Sequence, residues 1–386
     1  MNNHVSSQSA EKKSGSGLEG VVATSSSICH IDGKQGVLAY CGYDIHVLAQ
    51  DATFEEVAFL LWHKRLPTRA ELGDVCSQLV AARSLPESFL RHIRNLPSAQ
   101  SMHGLRTLVS MLAHYDPEVD DYSKEASYRK AVRLTAQVAT IVAACGRMSA
   151  GGGLIEADPA LSHSANFLLM LTGERPSPLA ARAFDVALIL HADHELNAST
   201  FAARVTAATL SDIHSAVVSG IGALKGRLHG GANAEVMKLL LSLGQDIEDE
   251  RVDTVIREML RRNEKVPGFG HRVYRTEDPR AAHLRQMSKE IGERINQKRW
   301  FEISQRIETV MKEERKIDAN VDFYSASTYY QLGIPTELFT PVFAMSRIAG
   351  WTAHILEQYE NNRLIRPRAE YIGPEYPQTY IPLERR

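Results

Sequence analysis

Cysteine is scarce and unpatterned in this chain of 386 residues. Its four cysteines, Cys29, Cys41, Cys76 and Cys145, stand far apart with no CxxC pair. That spacing argues against a disulfide framework or a thiolate zinc site and fits reduced thiols in a cytoplasmic protein. A basic excess is lacking too. The 44 Lys and Arg against 46 Asp and Glu leave a formal charge of −2, so nucleic acid is not an expected partner. No apolar run nears the roughly 20 residues that span a bilayer, so no membrane segment is expected. The glycine tract MSAGGGLIEAD (148–157) follows no strand and has neither GxGxxG nor Walker spacing, so it reads as a surface connection. Residues 1–17 are polar and Gly/Ser-rich without an apolar stretch, a composition expected of a disordered tail and not of a targeting signal.

What is present is apolar material in quantity, 44% of the chain, and helical patterning nearly throughout. The length suits one large domain with a smaller one. ICHI-DGKQG-VLAY (28–40) reads as a short β-hairpin and is nearly the only strand signal. From Phe54 onward a helical period dominates, so the expected fold class is all-α. Ser177-Pro178, Asp278-Pro279 and Thr340-Pro341 each resemble a cap residue followed by proline at the first helical position. Residues 179–190 are apolar almost all round, which predicts a helix inside the larger unit. Residues 281–316 are strongly charged and amphipathic, as helices coating a smaller unit are. A small helical domain is therefore expected at 231–325, inserted into a large one formed by 18–230 and 326–386.

Four polar segments at helix edges carry the candidate chemistry: HADHELNAST (191–200), LHGGAN (228–233), KVPGFGHRVYR (265–275) and NVDFYSAS (320–327). His229 sits between Gly226 and a Gly-Gly step, which permits close backbone approach and leaves its ring at a helix junction. His271 lies in a loop with too many breakers to be helical, beside Arg272 and Arg275. Asp322 opens a helix, where a carboxylate can act as a cap, as a base, or as both. His191 and His194 share a helix face, but zinc motifs of the HExxH kind need histidines four apart, and no metal is expected. Phe343, Arg347, Trp351 and Ile355 fall on one face of a helix. A guanidinium there needs either an internal salt bridge or an anionic ligand. Arg280, Arg366 and Arg368 add further guanidinium groups suited to carboxylates.

With these segments in order, joined by FAMSRIAGWTAHILEQ and NNRLIRPRAEYIGPE, the chain resembles the citrate synthase family from about residue 17 to its end. The resemblance implies a nearly all-α homodimer whose large and small domains close over the site. It implies condensation of oxaloacetate with acetyl-CoA, a substrate, with no cofactor. It also implies roles: His229 on the thioester carbonyl, Asp322 as base towards the acetyl methyl, and His271 on the oxaloacetate ketone. His194, Arg280 and Arg347 would bind substrate carboxylates, with Arg366 supplied by the partner subunit. The backbone of Lys265, Val266, Pro267, Gly268 and Phe269 would receive the CoA adenine, and Arg275 would lie near its phosphates. Cys41, the segment QSMHGLRT (100–107) and Ala319 depart from the family's usual wording, none of them at a proposed catalytic group. Three other readings are a 2-methylcitrate synthase acting on propionyl-CoA, a non-catalytic binder of carboxylates or CoA, and a zinc hydrolase using His191, His194 and His229.

Overall fold

The computed structural model describes residues 16–18, 20–96 and 102–386. Except for residues 16 and 17, the tail expected at 1–17 lies outside the described residues, as do Gln100 and Ser101 of the 100–107 segment. The expected hairpin is present. Strands β1 (Cys29–Asp32) and β2 (Val37–Tyr40) pair antiparallel with Cys29 opposite Tyr40, and a two-residue β3 (Tyr43–Asp44) adds to β2. Everything else that is regular among the described residues is helical. The first part of the chain forms α1 (Ile45–Asp51), α2 (Phe54–His63), α3 (Arg69–Ala82), α4 (Glu87–Asn95), α5 (Met102–Leu112), α6 (Lys124–Ser149), α7 (His163–Thr172), α8 (Pro178–His191), α9 (Ala198–Ala208) and α10 (Ile213–Leu224). There follow α11 (Ala232–Leu243), α12 (Asp249–Arg261), α13 (Ala281–Arg294), α14 (Arg299–Arg315), α15 (Val321–Gln331) and α16 (Phe339–Glu360). The residue expected as the first edge, 231, immediately precedes α11, and the second, 325, lies inside α15. Among the described residues no helix is long and apolar enough to cross a membrane.

The helix starts follow local chemistry. Thr53 and Glu56 close a capping box on α2, and Thr68 and Glu71 close another on α3. Ser177 caps α8 with Pro178 first in the helix, as its dipeptide predicts. The other two dipeptides act differently. Helix α13 begins only at Ala281, and Asp278 stands ahead of it, its carboxylate accepting both the Arg280 amide and the Arg280 guanidinium. Helix α16 begins at Phe339, ahead of Thr340, whose hydroxyl donates to the Gly230 carbonyl at 3.0 Å.

Two helices form the centre. Helix α8 is buried from Ala183 to His191, most of the nearly all-apolar stretch expected at 179–190, which Arg182 and Asp185 interrupt. Helix α16 is buried from Phe339 to Ile355 apart from Thr340, and packs against α2, α6, α8, α9 and α10. An all-round apolar helix of this kind is stable only inside a core. Buried among α2, α7 and α8 lie two acids, Glu55 and Asp185. One oxygen of each lacks a partner. Burial and the Glu55 charge push the Asp185 carboxyl up to about 7. An acid whose folded-state pKa is raised opposes folding as pH climbs from its unfolded value through its folded one. Asp185→Asn is therefore expected to raise the melting temperature at pH 8 and to change it little at pH 4, as calorimetry at the two pH values would show.

Candidate active site

Helix α8 ends at His191, and the chain turns through Ala192–Asn197 before α9. Asn197 caps α9 by accepting from the amides of Ser199 and Thr200. Inside this turn Glu195 takes a φ of 52°, a left-handed conformation that non-glycine residues adopt at a cost. The turn swings the buried His194 ring to within 3.1 Å of the Tyr274 hydroxyl and 5.2 Å, centre to centre, of the His271 ring. Burial, with Arg280 and His271 adding to it, holds the His194 imidazole well below its ordinary range.

His271 stands on the loop between α12 and α13. Gly268 and Gly270 have φ of 83° and 76°, and a Cβ at Gly268 would come within 2.8 Å of Phe323 and Val236. Only glycine fits there. The loop is tied down by Asn320 N–H donating to Gly268 O (2.9 Å), Gly270 N–H to Asp318 O (3.1 Å) and Asn320 Nδ2 to Gly270 O (2.8 Å). Its outer side leans on the β-hairpin turn, where Arg275 N–H donates to Gly33 O at 2.7 Å. His271 Nδ1 accepts the amides of Val273 (3.0 Å) and Tyr274 (3.3 Å). A ring nitrogen that accepts has no proton, so the neutral ring carries it on Nε2. Burial and Arg280 bring the His271 pKa down to about 4.

Arg280 is buried and gripped by Asp278 through Nε (2.9 Å) and Nη2 (2.8 Å), which holds the guanidinium firmly charged despite burial. The same Asp278 carboxylate accepts the Val321 amide at 3.2 Å, so it joins the arginine to the first turn of α15. Asp322 is the next residue. It is not the cap of α15: Asn320 is, and it accepts the Asp322 amide. The Asp322 side chain is left free of any hydrogen bond from the described residues. Burial pushes its carboxyl up to about 6, opposed by Arg280 and Arg347 and reinforced by Asp278.

Arg347 lies on α16 with 1% of its surface exposed. Its Nε donates to the His191 carbonyl at 2.7 Å and its plane covers the Phe343 ring at 4.8 Å. No described carboxylate lies within ion-pair distance, so the internal salt bridge is not what satisfies this charge. His229 completes the group. Its Nε2 is 2.9 Å from Ser199 Oγ, which accepts the Trp351 indole N–H at 3.1 Å. Burial, then the Arg347 charge, lowers the His229 pKa to about 4.

The fold thus gathers His194, His229, His271, Arg280, Asp322 and Arg347 from segments that lie up to 153 residues apart in sequence. Around Lys265–Phe269 the Val266 and Phe269 side chains are buried while Lys265 and Arg275 are exposed. Arg366 is not in the cluster. It is exposed on the extended segment after α16 and makes no hydrogen bond or ion pair with these groups. Among the described residues no three His, Cys, Asp or Glu side chains converge as metal ligands. Ser199, Tyr274 and Asp278 belong to the site but were not singled out for it in the sequence. Each sits inside or beside a segment that was, and only packing shows what it touches.

Residues 17–368 match the family model for the citrate synthase C-terminal domain. The chain is 51% identical to citrate synthase 2 of Bacillus subtilis, over 96% of this chain and 98% of that one. It is 50% identical to the citrate synthase of Haloferax volcanii with the same coverage, and 41% identical to the 2-methylcitrate synthase of Shewanella oneidensis over 98% and 99%. Among solved structures, citrate synthase from Pyrobaculum aerophilum superposes with a TM-score of 0.88 at 42% identity, covering 95% of this chain and 94% of that one. Thermoplasma acidophilum citrate synthase, in a ternary complex with carboxymethyl coenzyme A and oxaloacetate, gives 0.88 at 30% identity over 95% and 98%. The chain belongs to the citrate synthase family.

Proposed function

We propose that this cluster condenses oxaloacetate with acetyl-CoA and water to give citrate and free CoA, the work of an acyltransferase whose acyl group becomes alkyl on transfer. The observation that carries the reading is the buried Arg347 with no described carboxylate within ion-pair distance, set beside Asp322, His229 and His271. A dianionic substrate supplies the missing negative charge. Arg347, Arg280 and His194 hold its carboxylates, and the Nε2–H of His271 donates to its ketone oxygen.

The methyl of a thioester is a weak acid, so its proton leaves only if charge on the carbonyl oxygen is stabilised at the same time. Asp322 takes that proton. Ser199 has one hydroxyl proton, with His229 Nε2 at 2.9 Å and Asn197 Oδ1 at 2.7 Å. Given to His229 Nε2, it leaves the imidazole proton on Nδ1 to donate to the thioester oxygen. The enol carbon then attacks the ketone, the alkoxide takes its proton from His271, and water cleaves the citryl thioester to citrate and CoA. The backbone of Lys265–Phe269 receives the adenine, and Arg275 lies near the phosphates. Held arginine to carboxylate, the first substrate gives the second an intramolecular advantage.

Thiol release with oxaloacetate, using acetyl-CoA and propionyl-CoA side by side, tests this. A higher kcat/KM for acetyl-CoA is expected, in line with the 51% and 50% identity to the Bacillus subtilis and Haloferax volcanii citrate synthases against 41% to the Shewanella oneidensis 2-methylcitrate synthase. One methylene is worth about 1–3 kcal/mol, so propionyl-CoA is expected as a slow second substrate. Release with neither thioester would overturn the reading.

The working unit we propose is a homodimer in which Arg366 of the partner subunit completes the site. The segment 361–386 supports it, because it runs outward with Leu364, Tyr371, Ile372, Tyr376, Tyr380 and Leu383 all more than half exposed. An apolar arm of that size needs a surface to cover it. Arg366→Ala and Asp322→Asn chains, each inactive alone, are expected to regain part of their activity when co-expressed. One site of the mixed dimer then has both residues intact. Mixed preparations as inactive as their parents would place Arg366 in its own chain's site or in none.

A further inference from the structure

Behind the site runs a buried string of polar groups that no step above uses. Asp193, fully buried next to His194, accepts the Glu195 amide through Oδ2 at 3.1 Å and so closes the turn that holds Glu195 left-handed. His354, on α16 and also fully buried, brings Nε2 to 3.3 Å from Asp193 Oδ1 and 3.4 Å from Oδ2. On its far side Arg204 Nη1 lies 3.1 Å from His354 Nδ1. A guanidinium only donates, so Nδ1 must accept and the His354 proton sits on Nε2, facing the carboxylate. Arg204 is fixed in turn by Glu357 Oε2 (2.7 Å) and Gln358 Oε1 (3.1 Å), and Glu357 Oε1 accepts from the amide and hydroxyl of Ser27, both at 2.9 Å.

The packing is close around this string. A Cβ on Gly350, one turn before His354, would lie 2.5 Å from Asp193 Oδ1 and 2.3 Å from the Ala192 carbonyl. The Tyr40 hydroxyl meets the Asp193 backbone carbonyl at 2.9 Å. Burial alone would raise the Asp193 carboxyl, yet His354 and Arg347 hold it lowered, so it stays ionised. A buried carboxylate stripped of its donor either takes a proton or turns towards another one, and each response loosens the bond to the Glu195 amide.

We propose that His354 is a positioning residue for the oxaloacetate site. Acting through Asp193, it fixes the 192–195 turn and hence the direction of the His194 ring. It touches no substrate. The inference rests on the reading of His194 as an oxaloacetate ligand and adds the residues that aim it.

The test is oxaloacetate binding by titration calorimetry to wild type, His354→Phe, His354→Gln, His194→Ala and the His354→Phe/His194→Ala double variant. The ring without nitrogens is expected to weaken oxaloacetate about tenfold when His194 is present and less than twofold when it is absent. Glutamine, which offers an N–H to Asp193, is expected to stay within about threefold of wild type. Equal losses in both backgrounds, or no loss in either, would overturn the relay while leaving the proposed function standing. Wild-type protein that binds no oxaloacetate would overturn both. Should the phenylalanine variant fail to fold, Glu357→Gln at the outer end of the string carries the same comparison. Its loss, about threefold, is expected only where His194 is present, and a loss shared by both backgrounds counts against the proposal.

Discussion

Asp322→Asn is expected to lower kcat about a thousandfold while leaving oxaloacetate binding near its wild-type value. A positioned base contributes roughly 10²–10⁴ in rate, and here it has no neighbour able to replace it, since His229 and His271 are both committed to other atoms. The wild-type pH profile should carry the same signature. With Asp322 near 6 and the two histidines near 4, the acid limb of kcat/KM follows the carboxyl: activity falls as pH drops through about 6. A limb that stayed in place in a residual-activity profile of Asp322→Asn would assign it to another group. Stability moves the other way. The Asp322 pKa is raised on folding, so its ionisation opposes the fold, with the penalty growing from about pH 4 to about pH 6 and complete above. The shift corresponds to on the order of 2–3 kcal/mol. The asparagine variant should therefore melt higher than wild type at pH 8 and alike at pH 4.

Arg347→Met is the second large effect, and it too splits binding from stability. The unbound protein holds a guanidinium that is 1% exposed, satisfied at Nε by one carbonyl and by no carboxylate. A buried charge in that state is a standing cost, which a methionine of similar length removes. The ligand-free variant is expected to melt at a higher temperature than wild type. Oxaloacetate should lose about 2–5 kcal/mol of binding, roughly thirtyfold to several thousandfold. The rise in melting temperature that oxaloacetate gives wild type should then vanish at concentrations that saturate wild type. An Arg347→Met protein that is less stable without ligand would mean that the cation–π contact with Phe343, the His191 carbonyl and the Asp193 carboxylate already balance the charge.

Much of this arrangement was legible in the sequence because its signals are local. Glycines around His229 and His271 marked the loops, the i+4 row Phe343, Arg347, Trp351 and Ile355 marked the inner face of α16, and the run 179–190 marked a buried helix. The helix starts at Asp278 and Thr340 were misread for one physical reason. A residue that looks like a cap also answers to distant groups: the Val321 amide claims Asp278, and the Gly230 carbonyl claims Thr340. The same blindness to distant contacts hid the partners of known residues. Nothing in the wording of 191–200 says that Ser199 meets both Trp351 and His229, or that Asp193 meets His354 across 161 residues of chain.

One consequence of helix α16 concerns how the site comes apart. Arg347, Trp351 and His354 occupy two successive turns of its buried middle, about 10 Å of helix. The amides there are shut off from water by helices on several sides, so they exchange their hydrogens only when the whole core opens. Fraying at Glu360 or at the far ends of the small helices leaves that stretch untouched. Loss of the Arg347 contribution to the carboxylate clamp on warming should therefore follow the same curve as the slowest-exchanging amides.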